Sequence, residues 1–335
     1  MTQHMNSRSV TPQTEQPCNM GGDARASKLW VTLRSWIKPL SGLLIFASVV
    51  THAADGRLSQ YTYEDTKRLV SFVEEAAALM EQEGVRAFAE FGKGDSRWLK
   101  DNYLFVYTPD GTNVFHPIEH QFVGKNLLGL RDADGKPVVR LITEIAKQPA
   151  RDASAWVFYL WEDQTQLIPL WKSSYIRKAV TPDGRTYLIG SGRYNMKIER
   201  VWVEDRVRQA CAHLLARGKT EAFKEFMEAS SPFAFLGTYV FVLDPQGRTL
   251  VDPAFPTMAG RDLSHFRDAV GMPVIQELLH KLSGHEEAWV QYLWPKAGSQ
   301  LPTRKLIYAR RVTLNGETFI IGSDFFLATP IWMKG

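Results

Sequence analysis

Two lysines of this chain recur in one setting. Lys172 falls 11 residues after Trp161 and three before Tyr175, and Lys305 falls 11 after Trp294 and three before Tyr308. The same tryptophans close the phrases WVFYLW and WVQYLW, so that Tyr159 and Tyr292 stand two residues before them. A cation, hydroxyl donors and an apolar wall are what a water-excluding site needs to hold a small anion. Lys172 and Lys305 can supply the charge; Tyr159, Tyr175, Tyr292 and Tyr308 the hydroxyls; Trp161 and Trp294 a wall with one N–H each. The same residues also suit a plainer arrangement, lysines on an exposed strand and aromatics in a core. Strand alternation sends Trp156 and Phe158 to the face opposite Tyr159 and Trp161. It also separates Lys from Tyr at a spacing of three, so joint contact needs a bulge.

His116, before Pro117 at a strand end, and Asp252, before Pro253 at the matching place, could close such a site from above. The pairs Arg131–Asp132 and Arg267–Asp268 read as ion pairs that brace a loop. HPIEH at 116–120 fits an inverted zinc-protease pattern, but that chemistry needs both histidines on one continuous helix, which Pro117 opposes. DADG at 132–135 lacks the later acidic ligands of a calcium loop, and no phosphate loop or nucleophile elbow occurs. With no acid, base and nucleophile to assemble, the chain reads as a non-enzyme without metal or cofactor.

The elements that position these residues are also duplicated. YLFVY with PDG (103–111) parallels YVFVL with PQG (239–247), GKNLLGLRDADGKPV (124–138) parallels GRDLSHFRDAVGMPV (260–274), and YLIGSGRY (187–194) parallels FIIGSDFF (319–326). An offset of 132 to 136 is duplication of a whole domain, far longer than the repeat of a solenoid. Each copy opens with a long helix. The first runs from Thr62, with Thr62 and Asp65 spaced as a capping box, to a stop at Gly84; the second runs from about Lys197 to Gly218. GVRAFAEF and GKTEAFKEF then give short helices. Two strand-like runs, a helix near Val138 to Lys147 and three more strand-like runs follow, joined by hairpin turns. The implied class is α+β: in each copy, a long N-terminal helix and an antiparallel sheet of about five strands with flanking helices.

Of the 335 residues, 44% are hydrophobic and 23% charged, which suits a globular chain with a real core. The net charge of +4 is concentrated at the start: residues 1–53 hold five basic and two acidic residues, leaving 35 basic against 34 acidic. No basic run remains to follow a nucleic-acid backbone, so that class of partner is set aside. Basic residues precede the apolar run Leu40–Val50 and small residues follow it, the plan of a secretory signal peptide over 1–53 cleaved after Ala53. The run is too short for a spanning anchor. Met20 is an alternative start, and Cys18 precedes the apolar run and is no lipid-anchor cysteine. Cleavage would leave Cys211 alone, without a disulfide partner, on an apolar helix face.

The ordered motifs, strand with PDG or PQG, HP or DP, G-K-N-L, W-V-x-Y-x-W, K-x-x-Y and I-G-S-G, resemble the Cache domain, specifically the single-Cache type, an extracytoplasmic relative of the PAS fold. The resemblance covers 61–194 and again 198–326, hence two tandem modules. It implies a sensory role, with a pocket for small carboxylates, amino acids or similar solutes between the sheet and its loops. The expected function is an exported, periplasmic or secreted protein that binds a small organic solute, anionic in character, and signals to a separate membrane histidine kinase, chemoreceptor or transporter. A separate partner is expected because the family's usual membrane helix and signalling module do not follow Phe326. An envelope interaction module with vestigial pockets is the alternative. Two departures bear on the ligand: Asp252 stands for His116, and Asp324 for Gly192.

Overall fold

The computed structural model describes residues 56–100, 102–163, 166–294 and 301–327. The leader over 1–53, its cleavage point and Cys18 lie outside the described residues. The first long helix, α1 (Glu64–Glu83), buries Leu69, Val70, Val73, Ala76, Ala77 and Met80 along one stripe. Gly84, at φ 63°, ends it and returns its N–H to the Met80 carbonyl. The start differs from the expected capping box, because the N-cap is Tyr63 and its side chain makes no cap bond. Instead the N–H groups of Thr62 and Tyr63 donate to the two carboxylate oxygens of Glu199, at 2.8 and 2.9 Å. Glu199 is buried, and a carboxylate is favoured at the positive end of a helix.

Short helices α2 (Ala87–Phe91) and α3 (Arg97–Lys100) follow. Helix α4 (Val138–Thr143) tightens into a 3₁₀ turn over Glu144–Lys147. The second copy supplies α5 (Arg200–Arg217), α6 (Lys219–Phe226) and α7 (Val274–Gly284). The first sheet contains β1 (Phe105–Tyr107), β2 (Asn113–Phe115), β3 (Ser154–Trp161), β4 (Leu170–Val180) and β5 (Thr186–Tyr194), in the order β2-β1-β5-β4-β3, with every pair antiparallel. The second contains β6 (Ala234–Phe235), β7 (Thr238–Leu243), β8 (Thr249–Val251), β9 (Glu287–Trp294), β10 (Thr303–Leu314) and β11 (Glu317–Phe326). Its order is β6-β7-β11-β10-β9, with β8 on β7. The strand beyond the expected five is β6, whose two residues carry no readable periodicity.

Each sheet is apolar on both faces. A single cluster lies under the long helices and runs through both copies. Its crossing point is aromatic: Trp202 of α5 lies 4.6 Å from Trp156 and 5.1 Å from Phe158 of β3, and Phe158 lies 5.4 Å from Phe235. Lys136 reinforces the joint, donating from a fully buried Nζ to the carbonyls of Phe158 (3.2 Å) and Ala234 (2.6 Å). The opposite face of each sheet has its own cluster, covered by α4 in the first copy and by α7 in the second.

The glycine of each I-G-S phrase follows from this packing. A Cβ at Gly322 would stand 2.9 Å from the Tyr308 carbonyl and 2.9 Å from Phe241 Cε2, and backbone cannot yield cheaply. Gly322→Ala is therefore expected to destabilise the chain by about 1–3 kcal/mol, read as a lower urea midpoint. A midpoint unchanged from wild type would refute the close-approach argument.

Candidate functional site

Register places the lysines. On regular antiparallel ladders Tyr159 is the Cα partner of Lys172 and Tyr292 that of Lys305, whereas Tyr175 pairs with Trp156 and Tyr308 with Trp289. Directly opposed residues share a face, and successive residues along a strand point to opposite faces. Lys172, Tyr159 and Trp161 accordingly line one cavity, and Lys305, Tyr292 and Trp294 another, on the face away from the long helices. Neither β4 nor β10 is bulged between its lysine and tyrosine. Tyr175 and Tyr308 therefore lie on the helix side, donating to Glu74 Oε1 (2.6 Å) and Glu287 Oε2 (2.7 Å). The structure does not bring these two tyrosines to the lysines.

In the first copy the cavity is about 20 Å³, lined by Tyr103, Phe105, Tyr107, His116, Tyr159 and Lys172 with Leu130, Val138, Ile142 and Trp161. Lys172 is 2% exposed, donates to the Tyr103 hydroxyl, and lies 4.5 Å from the centre of the Tyr103 ring and 5.2 Å from that of Tyr194. Among the described residues no carboxylate lies within ion-pair distance of it. Burial pushes its pKa down to about 7, with the more distant Glu119 and Asp163 opposing. His116 is held near 4 by burial first and then by Lys172 and His120. The neutral ring accepts the Glu119 N–H at Nδ1, 2.8 Å away, so it caps the turn that follows Pro117. His120 opens a 3₁₀ turn rather than continuing a helix, so HPIEH is not the two-histidine helix of a zinc protease.

In the second copy the cavity is about 300 Å³. Asp252 repeats the cap of His116, accepting the N–H groups of Ala254 and Phe255 at 3.1 Å each. Its carboxyl is pushed up by burial first and by Asp324, against the lowering effect of those backbone bonds and of Lys305. Asp324 Oδ2 accepts from Lys305 Nζ at 2.8 Å and from the Tyr292 hydroxyl at 2.8 Å. The Tyr239 hydroxyl is raised by burial, by Asp324 and by its hydrogen bond with Asp252. Phe241, Leu263, Phe266, Ile275, Trp294 and Ile307 make apolar walls. The cavity thus has one polar region of two carboxylates, one ammonium and two phenols, against hydrocarbon.

The wall residues from β1 and β7 were not singled out by the motifs, although Tyr239, Phe241 and Leu243 at alternate positions carry the period-two signal of one strand face. Asp324 was visible as a departure from Gly192, but its pairing with Lys305 was not. The Arg–Asp repeats brace loops as expected, though by hydrogen bonds to backbone rather than to each other. Asp132 accepts from Asp134, Lys136 and Leu160, and Asp268 from Val270, Met272 and Leu293. Arg131 and Arg267 donate to the Gly135 and Gly271 carbonyls.

Two antiparallel sheets, each with a long helix on one face and a loop-covered cavity on the other, define a tandem PAS-like sensor architecture. Residues 94–199 match the family model described as Cache domain, and residues 204–326 match Single Cache domain 2. The chain belongs to the Cache domain family, with two modules in tandem, and such modules are extracytoplasmic and bind ligands in sensory proteins. Among solved structures it is similar to a periplasmic sensor domain of a chemotaxis protein (24% identity, 38% of this chain and 92% of that one, TM-score 0.29). It is also similar to a Cache chemosensory domain described for carboxylic acid recognition (22%, 37% and 85%, 0.30). A third is the ligand-binding domain of the amino acid chemoreceptor PctB of Pseudomonas aeruginosa PAO1 with L-Arg (11%, 84% and 91%, 0.27). Among the described residues, no helix is long and apolar enough to cross a membrane.

Proposed function

We propose that the chain is an exported sensory protein whose second module binds a small organic solute and signals its occupancy to a separate membrane histidine kinase, chemoreceptor or transporter. The observation that carries this reading is the cavity of about 300 Å³ with its polar groups gathered to one side, a form typical of small-molecule sites. The signal-peptide pattern read in the sequence over 1–53 would deliver it to the periplasm or beyond. Binding, not catalysis, suits the polar groups, because Lys305 and Tyr292 are spent on Asp324 and Asp252 is held by backbone N–H groups.

Charge refines the ligand. A simple carboxylate would have to displace Asp324 from Lys305, and the cavity would then hold a third carboxyl beside Asp252 and Asp324 with Lys305 as the cation shared among them. A solute with a cationic or N–H donor group next to a carboxylate, as in an amino acid, answers all three charges: its donor faces Asp252 and Asp324, its acid faces Lys305. Phe255, 57% exposed at the mouth, would be covered as the loop closes, and that closure is the movement available to bias the long helices.

The test is thermal shift of wild type and Asp252→Asn against amino acids, amines and simple carboxylates. A ligand at 100 times its Kd adds about 2.7 kcal/mol to the native state. A zwitterion or amine should raise Tm in wild type and bind at least tenfold more weakly to Asp252→Asn. A carboxylate without any donor group that binds both proteins equally would overturn the charge assignment.

A further inference from the structure

The two modules share Lys, Tyr and Trp at matched positions, yet their cavities differ from about 20 to about 300 Å³. The two lysines differ in partner and in burial. Lys305 is drawn to Asp324, and both side chains keep some exposure, at 14% and 16%. Lys172 has Gly192 where that aspartate would stand, and a Cβ there would come within 2.9 Å of Lys172 Cε and collide with Ser174 Oγ. The glycine leaves a lane through which the Lys172 chain runs inward.

Inside, its amine meets the kind of aromatic surroundings that proteins offer to amine ligands, the Tyr103 hydroxyl with its ring and the ring of Tyr194. The remaining space holds about one water, since a single water needs roughly 10–15 Å³ measured in this way. We propose that Lys172 is the built-in occupant of the first module, a tethered alkylammonium that fills its own site, and that Gly192 against Asp324 decides which module is closed and which receives ligand. The first module then serves as a fixed partner for the second through the Trp202 and Lys136 joint.

Lys172→Ala deletes three methylenes and the ammonium, which together have the shape of n-propylammonium. The variant should melt below wild type. In it, n-propylammonium should raise Tm at concentrations several-fold lower than 1-propanol requires, while wild type shows no such preference. Equal responses to the cation and the alcohol overturn the proposal. So that the outcome does not hang on folding of the alanine variant, Lys172→Met keeps an unbranched stem one atom shorter and without the charge, and acetate and propionate are titrated into it and into wild type. If either acid stabilises wild type but not Lys172→Met, Lys172 is an anion anchor and the proposal fails. If the two proteins respond alike, the first site is closed to anions, as proposed.

Discussion

Asp268→Ala lowers the stability of the folded chain by about 3–4 kcal/mol, because hydrogen bonds to a charged group are worth about 1.5–3 kcal/mol each and do not add fully. Oδ1 accepts the N–H groups of Val270 (3.0 Å) and Met272 (2.9 Å), and Oδ2 that of Leu293 (2.9 Å). One buried carboxylate thereby pins the loop after Arg267 to edge strand β9, next to Trp294 at the wall of the large cavity. Burial pushes this carboxyl up, but the backbone donors of Leu293, Met272, Val270 and Gly271 outweigh it, and the pKa is lowered. A carboxyl whose folded pKa lies below its unfolded value of about 3.9 gives stability that is present above the unfolded value and lost as pH falls through the folded one. Urea midpoints of wild type and Asp268→Ala should therefore differ widely at neutral pH and converge in acid. A gap that stays constant into acid would show that lost packing, not the ionised carboxylate, sets the cost.

How much of this was legible in the sequence depends on the range of the interaction. Strand alternation separated Trp156 and Phe158 from Tyr159 and Trp161, and in the structure the first pair meets Trp202 under the helices while the second lines a cavity. The same rule warned that Tyr175 and Tyr308 would turn away from their lysines unless the strand bulged, and it does not. The Thr62 to Asp65 capping box was misread because a local pattern was credited with a task performed by Glu199, whose separation in sequence no spacing rule reaches. The unequal cavities were unreadable for a different reason. Gly192 against Asp324 is plain in the repeat, but its effect runs through the path of a four-carbon side chain, and only packing shows whether a lysine lies at the rim or across the site.

Glu199→Ala is the second large effect, expected at about 2–3 kcal/mol, since two charge-assisted bonds from the amides of exposed Thr62 and half-buried Tyr63 to a buried carboxylate are lost just before a helix N-terminus. Glu199 stands immediately before α5, yet its oxygens hold the amides of Thr62 and Tyr63 at the start of α1. The contact thus fastens the N-cap of one long helix, and the residue before it, to the root of the other. Ligand closure in the second module, if it moves α5, must carry this tie with it or break it. Glu199→Gln keeps one good acceptor and should lose about half as much. Hydrogen exchange separates the local from the global part. In Glu199→Ala, protection should fall first at the start of α1, while β4 and β10 exchange at rates set by the reduced overall stability. If the start of α1 and the central strands lose protection by the same factor, and Glu199→Gln matches Glu199→Ala, the carboxylate is not the clasp described.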